Sequence, residues 1–148
     1  MKSGIAALAA LAARGTVQAQ GQGARALEGV WDVAITNPPG LMAPTRRLIT
    51  YGADGTVLDD SGTPGEMPAR GVWDYTGAGV FEGTWWRFAR DAQGQVTVDI
   101  KVRSRIHMVS SDEYENDAKI DIFTPAGQLI NSGTAKGHGR RIKLDAFD

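Results

Sequence analysis

From Leu27 onward the chain consists of short runs of alternating polar and apolar residues, each closed by a cluster of Gly, Pro, Asn, Asp or Ser. That feature constrains the fold more than any other. Period-two alternation buries one face of a strand and wets the other, and no segment after residue 26 carries a sustained 3.6-residue period. The pattern predicts strands near 27–36, 46–51, 56–61, 69–76, 80–89, 95–108, 112–123 and 129–136, with a tail strand or continuation near 140–144. Turn-forming breaks lie between them: Asn37-Pro38-Pro39-Gly40, Asp54-Gly55, Thr63-Pro64-Gly65, Gly77-Ala78-Gly79, Gln93-Gly94, Ser110-Ser111, Pro125-Ala126-Gly127 and Gly137-His138-Gly139. Such short links join antiparallel neighbours, since a parallel pair needs a crossover of about a dozen residues. Eight such strands without a helix form a sandwich or a barrel, and we expect an eight-stranded antiparallel up-and-down barrel.

Composition removes several classes of function. Sixteen basic and 17 acidic side chains give a formal charge of −1, with no basic block to follow a phosphate backbone, so no nucleic-acid partner is expected. Without cysteine there is no disulfide, thiolate nucleophile or Cys-based zinc site, and His107 and His138 are the only imidazoles. No phosphate-cradling loop, nucleophile elbow or paired-His spacing is present, and no cofactor or metal is expected. The acidic stretch 112–117 lacks the glycine and spacing of a calcium loop.

The N-terminus has a different character. Lys2 precedes an apolar run from Ile5 to Ala13, and Val17-Gln18-Ala19 suits signal-peptidase cleavage, although Arg14 is an unusual charge so close to it. The run is too short to span a bilayer, which needs about 20 residues. The expected organisation is a signal peptide over 1–19, a flexible leader over 20–26 and a barrel domain over 27–148. The protein would then be exported, periplasmic or secreted, with no integral membrane span, as a monomer or homodimer.

Hairpin registers follow from matching faces, because a one-residue slip exchanges inside and outside. For 95–108 against 112–123, placing Ser104 opposite Asn116 and Ile106 opposite Tyr114 gives one apolar face and one ion-paired face with Arg105 opposite Glu115. His107 beside Glu113 on that outer face reads most simply as a solvated charge pair. For 69–76 against 80–89, Tyr75 meets Phe81, Trp73 meets Gly83 and Gly71 meets Trp85, while Arg70 meets Trp86 on the other face. These rings and glycines suit either a ligand cavity or a filled aromatic core. For the last hairpin, Asn116 opposite Lys136 and Tyr114 opposite His138 make an interior polar row with Ser104. An apolar barrel with a convergent polar patch is the usual form of a small-molecule site, although a bulge near Gly137 and Gly139 would turn Lys136 and His138 outward.

On the first strand, Gly29-Val30-Trp31 resembles the G-x-W signature of lipocalins and other calycins. The resemblance implies that Trp31 plugs one end of the barrel beneath an arginine of the final strand, Arg140 or Arg141. The lipocalin Thr-Asp-Tyr motif, disulfide and C-terminal helix are missing, so the chain looks more like short exported lipocalin-like barrels of bacteria. Its Tyr-, Phe- and Gly-rich strands also look somewhat like the allene oxide cyclase barrel, whose members work without a cofactor. Both resemblances imply a small hydrophobic ligand or substrate.

Two functions follow. One is a carrier with Trp73, Tyr75, Phe81 and Trp85 as walls and Ser104 and Asn116 as polar contacts. The other is a cofactor-free isomerase or cyclase in which Tyr114, Lys136 or His138 transfers a proton while Ser104 and Asn116 orient the substrate. A filled barrel acting as an interaction module is the third, plainer option.

Overall fold

The computed structural model describes residues 23–36, 45–60 and 66–147. The expected signal peptide and the turns at 37–40 and 63–65 lie outside the described residues. The strands are β1 (Gly29–Thr36), β2 (Thr45–Tyr51), β3 (Thr56–Asp60), β4 (Ala69–Gly77), β5 (Val80–Arg90), β6 (Val96–Met108), β7 (Glu113–Phe123) and β8 (Leu129–Arg141). Each pairs antiparallel with its sequence neighbour, and β1 pairs with β8 to close the barrel. Closure gives every strand a paired neighbour on both sides over part of its length.

β4 and β5 pair as the sequence predicts, with Trp73 opposite Gly83 and Tyr75 opposite Phe81. The cation over Trp86, however, is Lys101 of β6 at 5.3 Å rather than Arg70. Between β6 and β7 the predicted faces hold, but each pair moves by two residues. Ser104 lies opposite Ala118 rather than Asn116, Ile106 opposite Asn116, and Arg105 opposite Asp117 rather than Glu115. The turn is wider than a tight hairpin, with the Val109 and Ser110 amides both donating to the Glu113 carbonyl at 2.9 and 3.1 Å. This register also sets Lys101 opposite Asp121, where the expected one set Lys101 against Lys119.

The β7–β8 register corrects the sequence reading more deeply. Phe123 faces Leu129 as expected, but a bulge then sets Ile122 opposite Asn131. Two residues now oppose one, and everything beyond is out by one. Asn116 lies opposite Gly137 and Tyr114 opposite Gly139, so Lys136 and His138 point outward. Packing explains this choice. A Cβ at Gly137 would overlap the Asn116 amide, and one at Gly139 would overlap the Tyr114 ring. No Lys or His side chain fits at those inner positions. The same in-facing glycines explain why the expected break at 137–139 is absent and β8 continues to Arg141.

Candidate functional site

One end of the barrel is sealed. Trp31 is fully buried and donates its indole N–H to the Leu27 carbonyl at 2.9 Å. The Arg141 guanidinium lies 4.3 Å from the Trp31 ring centroid and donates to the carbonyls of Glu28 and Ala26 at 2.5 and 2.6 Å. Of the two arginines proposed for this role, Arg141 takes it. Gly29 is required here, because its φ of 126° is a left-handed value and a Cβ would stand 2.9 Å from the Arg141 guanidinium. Below the plug the rings touch one another: Trp31–Tyr114 at 4.8 Å, Tyr51–Trp73 at 5.9 Å, Trp73–Phe81 at 5.7 Å and Tyr75–Phe81 at 5.0 Å between centroids. Gly83 belongs to this packing, since a Cβ there would sit 3.0 Å from the Trp85 ring. This half of the interior is a filled aromatic core.

Tyr114 is buried there, its hydroxyl 3.4 Å from that of Tyr51. Burial pushes both phenols up from their ordinary range, so they are neutral throughout the physiological range. The other members of the expected proton-transfer row are elsewhere. The Lys136 side chain is 84% exposed and donates to Asp117 at 3.0 Å, while His138 sits 3.9 Å from Glu113 on the outer face. Ser104 and Asn116 do meet, across one diagonal, with the Asn116 amide donating to the Ser104 hydroxyl at 2.9 Å. Ser104 and Asn116 thus meet on the inner face that also carries Tyr114, while the Lys136 ammonium and the His138 ring lie on the outer face.

The opposite half of the interior holds residues that the sequence reading passed over. Arg47 of β2, Asp59 of β3 and Arg87 of β5 are 2%, 2% and 4% exposed. Asp59 accepts the Arg47 Nε at 2.5 Å on one oxygen and the Trp85 indole N–H at 2.9 Å on the other. Glu66, just before β4, accepts from Arg87 and lies 3.4 Å from the Arg47 Nη2. Burial, then the neighbouring Arg47 charge, lowers the Arg87 pKa to about 10, so the guanidinium stays charged at neutral pH. Beside this cluster is a cavity of about 30 Å³, walled by Val33, Ile35, Ile49, Val102, Ile120 and Trp85. Three buried polar atoms on residues that line it, Thr45 Oγ1, Arg87 Nε and Asn116 Oδ1, have no hydrogen-bond partner among the described residues. Of the residues expected to bind ligand, Trp85 and Asn116 are at this cavity, whereas Trp73, Tyr75 and Phe81 belong to the filled half.

A signal for the missed residues was present. Arg47 shares its strand phase with Ile49 and Tyr51, Asp59 with Val57, and Arg87 with Phe81 and Trp85. A charge on an apolar stripe is either buried with a partner or functional.

Fold and site define the class. The chain is a closed eight-stranded antiparallel β-barrel in which each strand pairs with its sequence neighbours. Among solved structures it is similar to EF1p2_mFAP2b bound to DFHBI, with a TM-score of 0.54 and 14% identity over 80% of this chain and 95% of that one. It is also similar to the redesigned β-barrel b11L5F_LGL, with a TM-score of 0.50 and 16% identity over 80% of this chain and 93% of that one. These likenesses concern fold alone. No family model and no curated protein matches the sequence.

Proposed function

We propose that this chain is an exported lipocalin-like barrel that binds one small, largely hydrophobic molecule in the half of its interior away from the aromatic core. The observation that carries the reading is that Thr45 Oγ1, Arg87 Nε and Asn116 Oδ1 have no partner among the described residues, and that all three residues line one cavity whose other walls are largely apolar. Buried polar atoms are almost always satisfied, and a donor–acceptor set left open inside apolar walls is the usual form of a ligand site. The cavity of about 30 Å³, whose walls include Ile35 and Ile120, takes the polar tip of a ligand. A similar barrel, EF1p2_mFAP2b, has been solved with DFHBI bound. The isomerase or cyclase reading drew on Tyr114, Lys136 and His138 in one interior row, and the β8 register separates them.

Native mass spectrometry of protein purified from its own host tests the binding reading. The expected spectrum shows added mass that leaves on denaturation. Bare protein that also fails to take up any small apolar probe would end the reading. N-terminal sequencing of the same material tests export: the mature chain is expected to begin at Gln20, and an intact Met1 terminus on cytoplasmic protein would refute it.

A further inference from the structure

Four charged groups meet inside the half of the barrel away from the aromatic core, but they are not equivalent. Arg47, Asp59 and Arg87 project from β2, β3 and β5 and are almost wholly buried. Asp59 is committed, with one oxygen on Arg47 and the other on the Trp85 indole. Glu66 stands outside the strands, and its side chain is 21% exposed. Without it the strand-borne cluster is two cations against one anion. A buried unpaired charge is strongly disfavoured, so some carboxylate must occupy that place. Even with Glu66 in place, the Arg87 Nε and the Thr45 hydroxyl have no hydrogen-bond partner among the described residues, and both residues line the cavity.

We infer, on the binding reading above, that the ligand is an apolar molecule with an anionic head, best matched by a carboxylate, which takes the place of Glu66 on Arg87 and Arg47. The exchange keeps the interior neutral. A planar guanidinium recognises a carboxylate through two parallel N–H donors, and a head in the place of Glu66 would meet Arg87 on its Nη1–Nη2 edge, since Nε pairs with Nη2 and not with Nη1. The Thr45 hydroxyl supplies a further donor to the same head. Glu66 is thus an internal stand-in for the ligand head, and it competes with that head for the arginines.

Sodium decanoate and decan-1-ol provide the test, because they share a chain and differ in head charge. Binding to the full chain is read by titration calorimetry and by the change in tryptophan emission, to which Trp85, bonded inside the cluster, contributes. Decanoate is expected to bind at least about tenfold more tightly than decan-1-ol. Glu66→Gln removes the competitor and is expected to tighten decanoate by about tenfold while leaving decan-1-ol unchanged. Arg87→Met is expected to abolish the preference for decanoate, and Glu66→Gln still tests the inference if that variant does not fold. Equal affinity for both probes, or a Glu66→Gln variant that weakens decanoate, would overturn the anionic head and leave the binding reading intact. If neither probe binds wild type or variant, the inference falls, and the binding reading falls with it only if the protein also purifies bare and takes up no other small apolar probe.

Discussion

Single residues show how much this barrel depends on a few large or charged groups. Trp31 is fully buried, hydrogen-bonded to Leu27 and covered by Arg141, so truncating it leaves a cavity and strands the guanidinium. Trp31→Ala is expected to cost about 3–5 kcal/mol in urea unfolding. A loss below about 1 kcal/mol would mean that the plug is not structural. Asp59 makes a sharper case. Asp59→Ala would leave Arg47 buried without its close partner and is expected to cost about 3–5 kcal/mol, whereas the double change Arg47→Met with Asp59→Leu should cost distinctly less. The two phenols give a pH signature. Their pKa values are raised in the fold, so below about pH 10 both folded and unfolded chains keep the protons and nothing changes. Above that, only the unfolded chain ionises, and stability is expected to fall as pH rises, with tyrosinate absorbance from Tyr51 and Tyr114 tracking unfolding.

At the scale of the element, the eighth strand decides the most. Its inner positions beyond the bulge are Gly133, Ala135, Gly137 and Gly139, a period-two row of small residues against the larger side chains of β7. Gly137→Ala and Gly139→Ala should each cost about 1–3 kcal/mol, because the added methyl meets Asn116 or Tyr114. Lys136→Ala should cost less than about 1 kcal/mol, since it removes only an exposed ion pair with Asp117. If the glycine substitutions were silent and Lys136→Ala severe, the strand would be facing the other way. The row of small residues was legible in the sequence. The position of the bulge was not, because Ile130 and Asn131 look equally able to be the extra residue until β1 and β7 fix both edges of the strand.

For the whole molecule, closure is the defining property. β8 is hydrogen-bonded on both sides, to β7 and to β1. A chain truncated after residue 128 loses that strand and leaves two long unpaired edges. Such edges template association, so the truncated chain is expected to elute as aggregate in size-exclusion chromatography while the full chain elutes as a discrete species. Closure also divides the interior: Trp31 and the aromatic rings fill one half, and the charged cluster beneath its apolar walls occupies the other.

What the sequence determined by itself was everything that depends on local alternation and turn chemistry. Eight strands, their boundaries to within a few residues, the antiparallel order and the faces of β4 to β7 all follow from period two and from where Gly, Pro, Asn and Asp interrupt it. The Gly29-Val30-Trp31 signature located the plug, because only a glycine there lets an arginine lie against the tryptophan. Tertiary structure alone decided which residues share the half of the interior that holds the charged cluster. Arg47, Asp59 and Arg87 lie on three strands and Glu66 outside them, so no spacing rule links them. Their meeting depends on barrel closure and on register, and one extra residue in β8 was enough to move Lys136 and His138 from inside to outside.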